Sequence, residues 1–281
     1  MIIINDNDTL LQFIPNVIET VEGETPLFDK LRPQLEITEQ WLKQNIIGED
    51  FMESVANGVG TDMWRAAATA IACDAFRRSV PSLDLILTPN GFGVVSNNNV
   101  APASKERVER LMASLGDQRN KAIASLISFL TKFNTWLTLG PGQWLTSSFF
   151  TSPDDVRLAK TVLKNEDGWD AFIELREKAA PIEQAYSEKW LGQALTARLR
   201  IVLATDPAGS SDVATLARTV RQLVVDEMLS NRRPVKNLDR LVNFIRNNST
   251  LYPEWQSDPV AELFEEKWRF QNKKEAAGYF F

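Results

Sequence analysis

Phe28-Asp29-Lys30-Leu31-Arg32, followed by Thr38-Glu39-Gln40-Trp41-Leu42, is the stretch from which the fold can be read, because the chain carries it twice. The second copy is Phe172-Ile173-Glu174-Leu175-Arg176 with Ser187-Glu188-Lys189-Trp190-Leu191. Around the first copy Phe28, Leu31, Leu35, Trp41 and Leu42 recur at helical spacing, with Glu36, Glu39 and Lys43 on the other side, which predicts an amphipathic helix. With the two Trp-Leu elements superposed, residues 66–78 fall on 215–227 without a gap, and Phe129-Leu130-Thr131-Lys132-Phe133 resembles Phe264-Glu265-Glu266-Lys267-Trp268. The expectation is an all-α, mainly helical protein made of two tandem helical-bundle units related by duplication, with Trp41 and Trp190 as the buried anchor of each.

At 281 residues the chain exceeds the usual single-domain size, which suits two units of similar length. The boundaries read as a helical domain over 1–140, an aromatic linker over 141–151 and a second helical domain over 152–281. The alanine-rich run over 63–80 has the composition of a tightly packed inner helix, begun by a cap at Asp62 and stopped by Pro81. Asp8-Thr9 can cap a short first helix, Ser104 caps another starting at Lys105, and Asp206 and Asp212 read as caps in the second half. Residues 169–179 and 182–203 are helical by spacing.

The halves differ between 83 and 96. Leu83-Asp84-Leu85-Ile86-Leu87 and Phe92-Gly93-Val94-Val95-Ser96 are β-prone runs separated by Asn90-Gly91, a short-range hairpin signal. Removing about 19 residues here brings the two halves back into register, so the hairpin reads as an insertion into the first copy. A hairpin that projects exposes unpaired edges, which suit a neighbour that supplies a strand. The linker rings Trp144, Phe149 and Phe150 read either as a buried interdomain seam or as a partner-binding surface.

Composition narrows the chemistry. The chain has no histidine, which removes the commonest general base and zinc ligand, and its one cysteine, Cys73, sits in an apolar helical context as a small buried hydrophobe. A net charge of -6 argues against general nucleic-acid affinity. The apolar start Met1-Ile2-Ile3-Ile4 lacks the basic flank of a signal peptide, so the protein is not expected to be secreted. The uncharged stretch around Lys132 carries Ser125, Ser128, Thr131 and Asn134 on one side, which fits packing on protein rather than insertion in a membrane. Pairs such as Glu36/Glu39 and Glu265/Glu266 read as solvated surface, and Gly58-Val59-Gly60 and Gly91-Phe92-Gly93 as turns. No catalytic, metal or cofactor residues are assigned, and an enzyme is not expected.

The run Cys73-Asp74-Ala75-Phe76, the segment from Ser82 to Ser96 and Val100-Ala101-Pro102-Ala103-Ser104-Lys105-Glu106-Arg107 resemble an uncharacterised family of Bacteroidetes and their phages and prophages. The resemblance extends to the tail Phe270-Gln271-Asn272-Lys273-Lys274. Its usual setting among tailed-phage structural proteins, and helices followed by a hairpin, are similar to head-tail connector or adaptor proteins. The resemblance implies a non-enzymatic structural subunit in the virion or the bacterial cytoplasm. Its implied partners are copies of itself (a homo-oligomer) and portal or neck subunits. The residues expected at the assembly interface are Leu85, Leu87, Asn90, Phe92 and Val94 of the hairpin with Trp144, Phe149 and Phe150. The alternative is a cytosolic helical scaffold that binds one protein partner without forming rings.

Overall fold

The computed structural model describes residues 2–14, 25–83, 85–88, 91–94, 104–164 and 168–265. They are helical almost throughout. In the first half the order is α1 (Asn7–Leu11), α2 (Leu27–Leu42), α3 (Glu49–Asn57), α4 (Asp62–Ser79), α5 (Lys105–Leu130), α6 (Asn134–Leu137) and α7 (Gly140–Leu145). The second half holds α8 (Gly168–Tyr186), α9 (Gln193–Thr205), α10 (Asp212–Ser230), α11 (Val235–Asn247) and α12 (Pro253–Gln256). Between α4 and α5, β1 (Leu85–Thr88) and β2 (Gly91–Val94) pair antiparallel, Leu85 opposite Val94 and Thr88 opposite Gly91.

The helix starts follow from short polar side chains. Thr61 accepts from the Trp64 N–H and Ser211 from the Ala214 N–H, so the caps of α4 and α10 lie one residue before the expected Asp62 and Asp212. Both aspartates instead occupy the first turn, where their charge suits the helix dipole. Asp6 caps α1 through the Thr9 N–H, ahead of the expected Asp8-Thr9. Pro181 does not divide the second half's first helix: α8 runs through it, as α2 runs through Pro33. Both prolines are exposed, as are Asp29 and Glu177 one turn earlier, so water satisfies the carbonyls that lose a donor.

α2 and α8 each end in one π-helical turn, Lys43–Ile47 and Ser187–Leu191. Each turn stops at a glycine of positive φ, Gly48 (89°) and Gly192 (76°). A one-turn helix returns to each: the Trp136 indole of α6 donates to the Ile46 carbonyl at 3.0 Å, and the Trp255 indole of α12 to the Trp190 carbonyl at 2.8 Å. A buried glutamate in each leading helix holds the segment that enters it. Glu39 accepts from the Ile2 and Ile3 N–H groups, and Glu183 from the Phe149 N–H and the Ser148 hydroxyl. Glu39 is therefore interior, in place of the solvated position its spacing suggested.

The register between halves also departs from the gapless one. The two glycines are 144 residues apart and the capping residues Thr61 and Ser211 are 150 apart, because both α9 and the loop after it are longer than α3 and its loop. Trp41 accordingly lies in α2 while Trp190 lies in the π turn, and the two tryptophans are not equivalent. One apolar core runs through both halves, from Ile3 to Trp255, and contains the alanine face of α4 with Leu126, Phe149, Phe172 and Leu199. No helix among the described residues is long and apolar enough to cross a membrane.

Candidate functional site

Tryptophans from both halves meet at the surface where α2, α7 and α8 converge. Leu31, Leu35, Thr38, Glu39 and Leu42 are the buried stripe of α2, which leaves Trp41 beside it and half-buried. Its ring meets Trp169, in the first turn of α8, edge-on at 5.0 Å between centroids. Trp169 in turn contacts Trp144 of α7 at 5.7 Å and Phe172 at 5.2 Å. Trp144 is 38% exposed, so the ridge has a buried foot at Phe172 and an open crest.

Arg176, one turn beyond Phe172, fixes the crest from below. Its guanidinium stacks 4.0 Å from the Trp144 ring and donates to the carbonyls of Trp144, Leu145 and Phe150 and to the Ser147 hydroxyl. The Trp144 carbonyl also accepts from the Ser147 N–H and hydroxyl, and the arginine adds the donor for the carbonyls at the end of α7 and in the connector after it, acting as a C-terminal cap from another helix. Burial lowers its pKa to about 10, which leaves it charged at neutral pH.

Beside the ridge is a cleft of about 270 Å³ lined by Trp41, Trp169, Asp74, Arg78, Arg119 and Asp170. Asp74 accepts from Arg119 at 2.8 Å and from Arg78 at 2.7 Å, and Arg119 also donates to Asn120. Burial raises the Asp74 carboxyl, but the two guanidiniums more than offset this and hold it below its ordinary value. The donors and acceptors of this cluster satisfy one another, the behaviour of a structural ion pair. A second concavity of about 390 Å³ lies across the ridge, between Gln44, Asn45, Pro141, Trp144, Trp169 and Ile173. Burial, then the charge of Asp74, pushes the Cys73 thiol up to about 11, which keeps it protonated at neutral pH. No group of three or more potential metal-ligating side chains occurs among the described residues.

The residues expected at an assembly surface have separate fates. Leu85, Leu87, Phe92 and Val94 are strand residues, while Asn90 lies outside the described residues. Trp144 is on the surface. Phe149 and Phe150 are fully buried, which corrects their assignment to an interface: the connector packs against α8, where Glu183 and Arg176 satisfy its backbone. Of the two readings open for those rings, the buried seam holds for the phenylalanines, while Trp144 is partly exposed. Trp41 and Trp169 were missed as surface residues. The signal for Trp41 was its place off the 31-35-38-42 stripe, masked by the assumption that every tryptophan in a helix faces inward.

A mainly helical protein with a partly exposed tryptophan ridge is the class that the described residues define. The model of a family of unknown function (DUF6712) matches residues 14–138. The match covers α2 through α6 and leaves out the second half, including Trp169 and Arg176. No curated protein and no solved structure matches the chain.

Proposed function

We propose that the chain is a non-enzymatic phage or prophage structural protein, a connector-like subunit in which one helical unit is used twice and which associates with copies of itself and with other virion proteins such as portal or neck subunits. The observation that carries the reading is the ridge of Trp41, Trp144 and Trp169, whose crest is open although three large rings would gain from burial. Aromatic side chains with arginine nearby are the composition that protein interfaces favour. The strands β1 and β2 form a two-stranded sheet, whose outer edges can accept a further strand.

Two features support the repeated unit. Each half has a π turn ending in a positive-φ glycine, and a tryptophan indole bonded to the fourth carbonyl of that turn. Each also has a buried glutamate that holds the incoming chain. The virion setting comes from the sequence resemblance. Light scattering coupled to size-exclusion chromatography is the test, on the full chain and on a chain with residues 83–96 replaced by a short glycine-serine linker. Assembly predicts a concentration-dependent mass above 31.7 kDa for the full chain and a lower mass for the deletion. Equal monomeric masses at high concentration exclude self-association.

A further inference from the structure

We propose that two copies of the chain meet face to face across the groove between α10 and α11, each placing its Phe244 in the other's groove; this rests on the self-association reading and assigns it a surface. The groove has a volume of about 520 Å³. Leu216, Leu223 and Leu241 form its floor, Phe244 stands 44% exposed on one wall, and Asp212 and Arg240 lie exposed on its rim.

The groove is open because α10 lacks the cover that α4 has. Both helices follow a glycine-ended π turn and one intervening helix, and both start at a hydroxyl cap. Twelve of the eighteen residues of α4 are buried, against seven of the nineteen of α10. The helix that follows α4 is α5, of 26 residues, which is joined to it through Arg119 and Asp74. The helix that follows α10 is α11, of 13 residues, and the shorter cover leaves a trough with leucines at its base.

This face is complementary to itself in charge and in shape. Asp212 and Arg240 make no salt bridge among the described residues, so one acid and one base on the same rim lack a counter-charge. A four-residue connection joins α10 to α11, so the two helices run antiparallel. The Tyr252 ring lies 6.2 Å from Phe244, and burial together with the charge of Asp212 pushes its hydroxyl up, which puts Asp212 and Phe244 at the same end of the groove. At 1.5 Å per residue, Leu216 is about 6 Å along α10 from Asp212, and Arg240 is about 6 Å along α11 from Phe244. A twofold axis through the face, midway along those two steps, lays α10 of each copy over α11 of the other. Asp212 then faces Arg240 of the second copy, and Phe244 comes over Leu216 of the second copy. A single placement of the axis satisfies both pairs, and each pair occurs twice, as an isologous interface requires. Opposite charges meet at the rim while an exposed ring gains a leucine floor. Such a contact closes at two copies, so larger assembly through the ridge or the hairpin uses separate surfaces.

The test uses two full-length charge reversals, Asp212→Lys and Arg240→Glu, followed by sedimentation equilibrium. Each alone sets like charges against each other at both twofold-related positions, and is expected to weaken pairing about tenfold or more. An equimolar mixture is expected to recover the affinity of the unmodified chain, because the mixed dimer holds one reversed pair and one original pair. Asp212→Cys mixed with Arg240→Cys should be joined by a short bismaleimide, a readout that does not depend on either reversal folding, since the native Cys73 is buried. Loss of pairing in both reversals without recovery in the mixture overturns the twofold contact, because the groove then meets something other than its own copy. If the unmodified chain associates and both reversals associate equally, with no cross-link, the proposed surface is wrong and self-association stands. If the unmodified chain is monomeric at high concentration, both fail.

Discussion

Arg176 is the residue on which the ridge depends. Replacing it with alanine leaves the carbonyls of Leu145 and Phe150 without their buried donor and removes the cation beneath Trp144. Arg176→Ala is expected to cost about 3–5 kcal/mol, read as a lower urea midpoint with an unchanged slope. Asp74 sets a second test, in pH. Its folded carboxyl lies below its ordinary value of 3.8, so its contribution is present above that value and is lost as the pH falls through the folded one. Asp155 works in the opposite sense: burial outweighs Arg221 and the Thr151 and Ser152 N–H groups, so its folded carboxyl lies above 3.8. Its contribution is present below 3.8 and is lost as the pH rises through the folded value. Asp74→Asn should therefore lower stability at pH 7, by leaving Arg119 buried without its counter-charge, and should flatten the loss of stability below pH 4 measured by urea titration at each pH.

The π turns define the element scale, and their glycines differ in a way that can be measured. Gly48 and Gly192 have ψ of 152° and 158° with positive φ, a region that side chains other than glycine's avoid. Gly48→Ala is expected to cost about 1–3 kcal/mol from the backbone alone, because its Cβ would make ordinary contact with Leu139. Gly192→Ala should cost more, since the new carbon would collide with the Asp258 carboxylate, which accepts from Gln193 and caps the turn Pro259–Phe264. Thermal denaturation of the two variants gives the order directly. The sequence announced the helices themselves, through the spacing of Leu31, Leu35 and Leu42 and the alanines of α4, because a 3.6-residue period is written locally. It could not announce the π turns, since one extra residue per turn leaves no mark on composition. Nor could it place Glu39 inside, because the Ile2 and Ile3 donors that make burial tolerable lie 37 and 36 residues away. The ridge was half legible for the same reason: Trp144 stood out in the connector, whereas the pairing of Trp41 with Trp169 depends on how the two halves pack.

At the scale of the molecule, the two halves share more than a linker. Ser128 of α5 donates to the Thr205 carbonyl at the end of α9, Trp41 packs on Trp169, and one apolar core holds residues of α4, the connector and α8 alike. Separating the halves would expose the stripe of α5 and the feet of the ridge together, an apolar area whose hydration opposes independent folding. Unfolding should therefore be one cooperative event. Calorimetry is expected to show a single transition with equal calorimetric and van't Hoff enthalpies and a heat-capacity increment of about 3–4 kcal/mol/K for a chain of this length. Two resolved transitions, or a chain cut after residue 140 whose fragments each melt cooperatively, would mean that the seam adds little to stability. The ridge would then be a contact between independent domains, and Trp144→Ala would leave both melting temperatures unchanged. With one cooperative core, the same substitution should lower the single transition, because Arg176 loses its stacking partner in the structure that joins the halves.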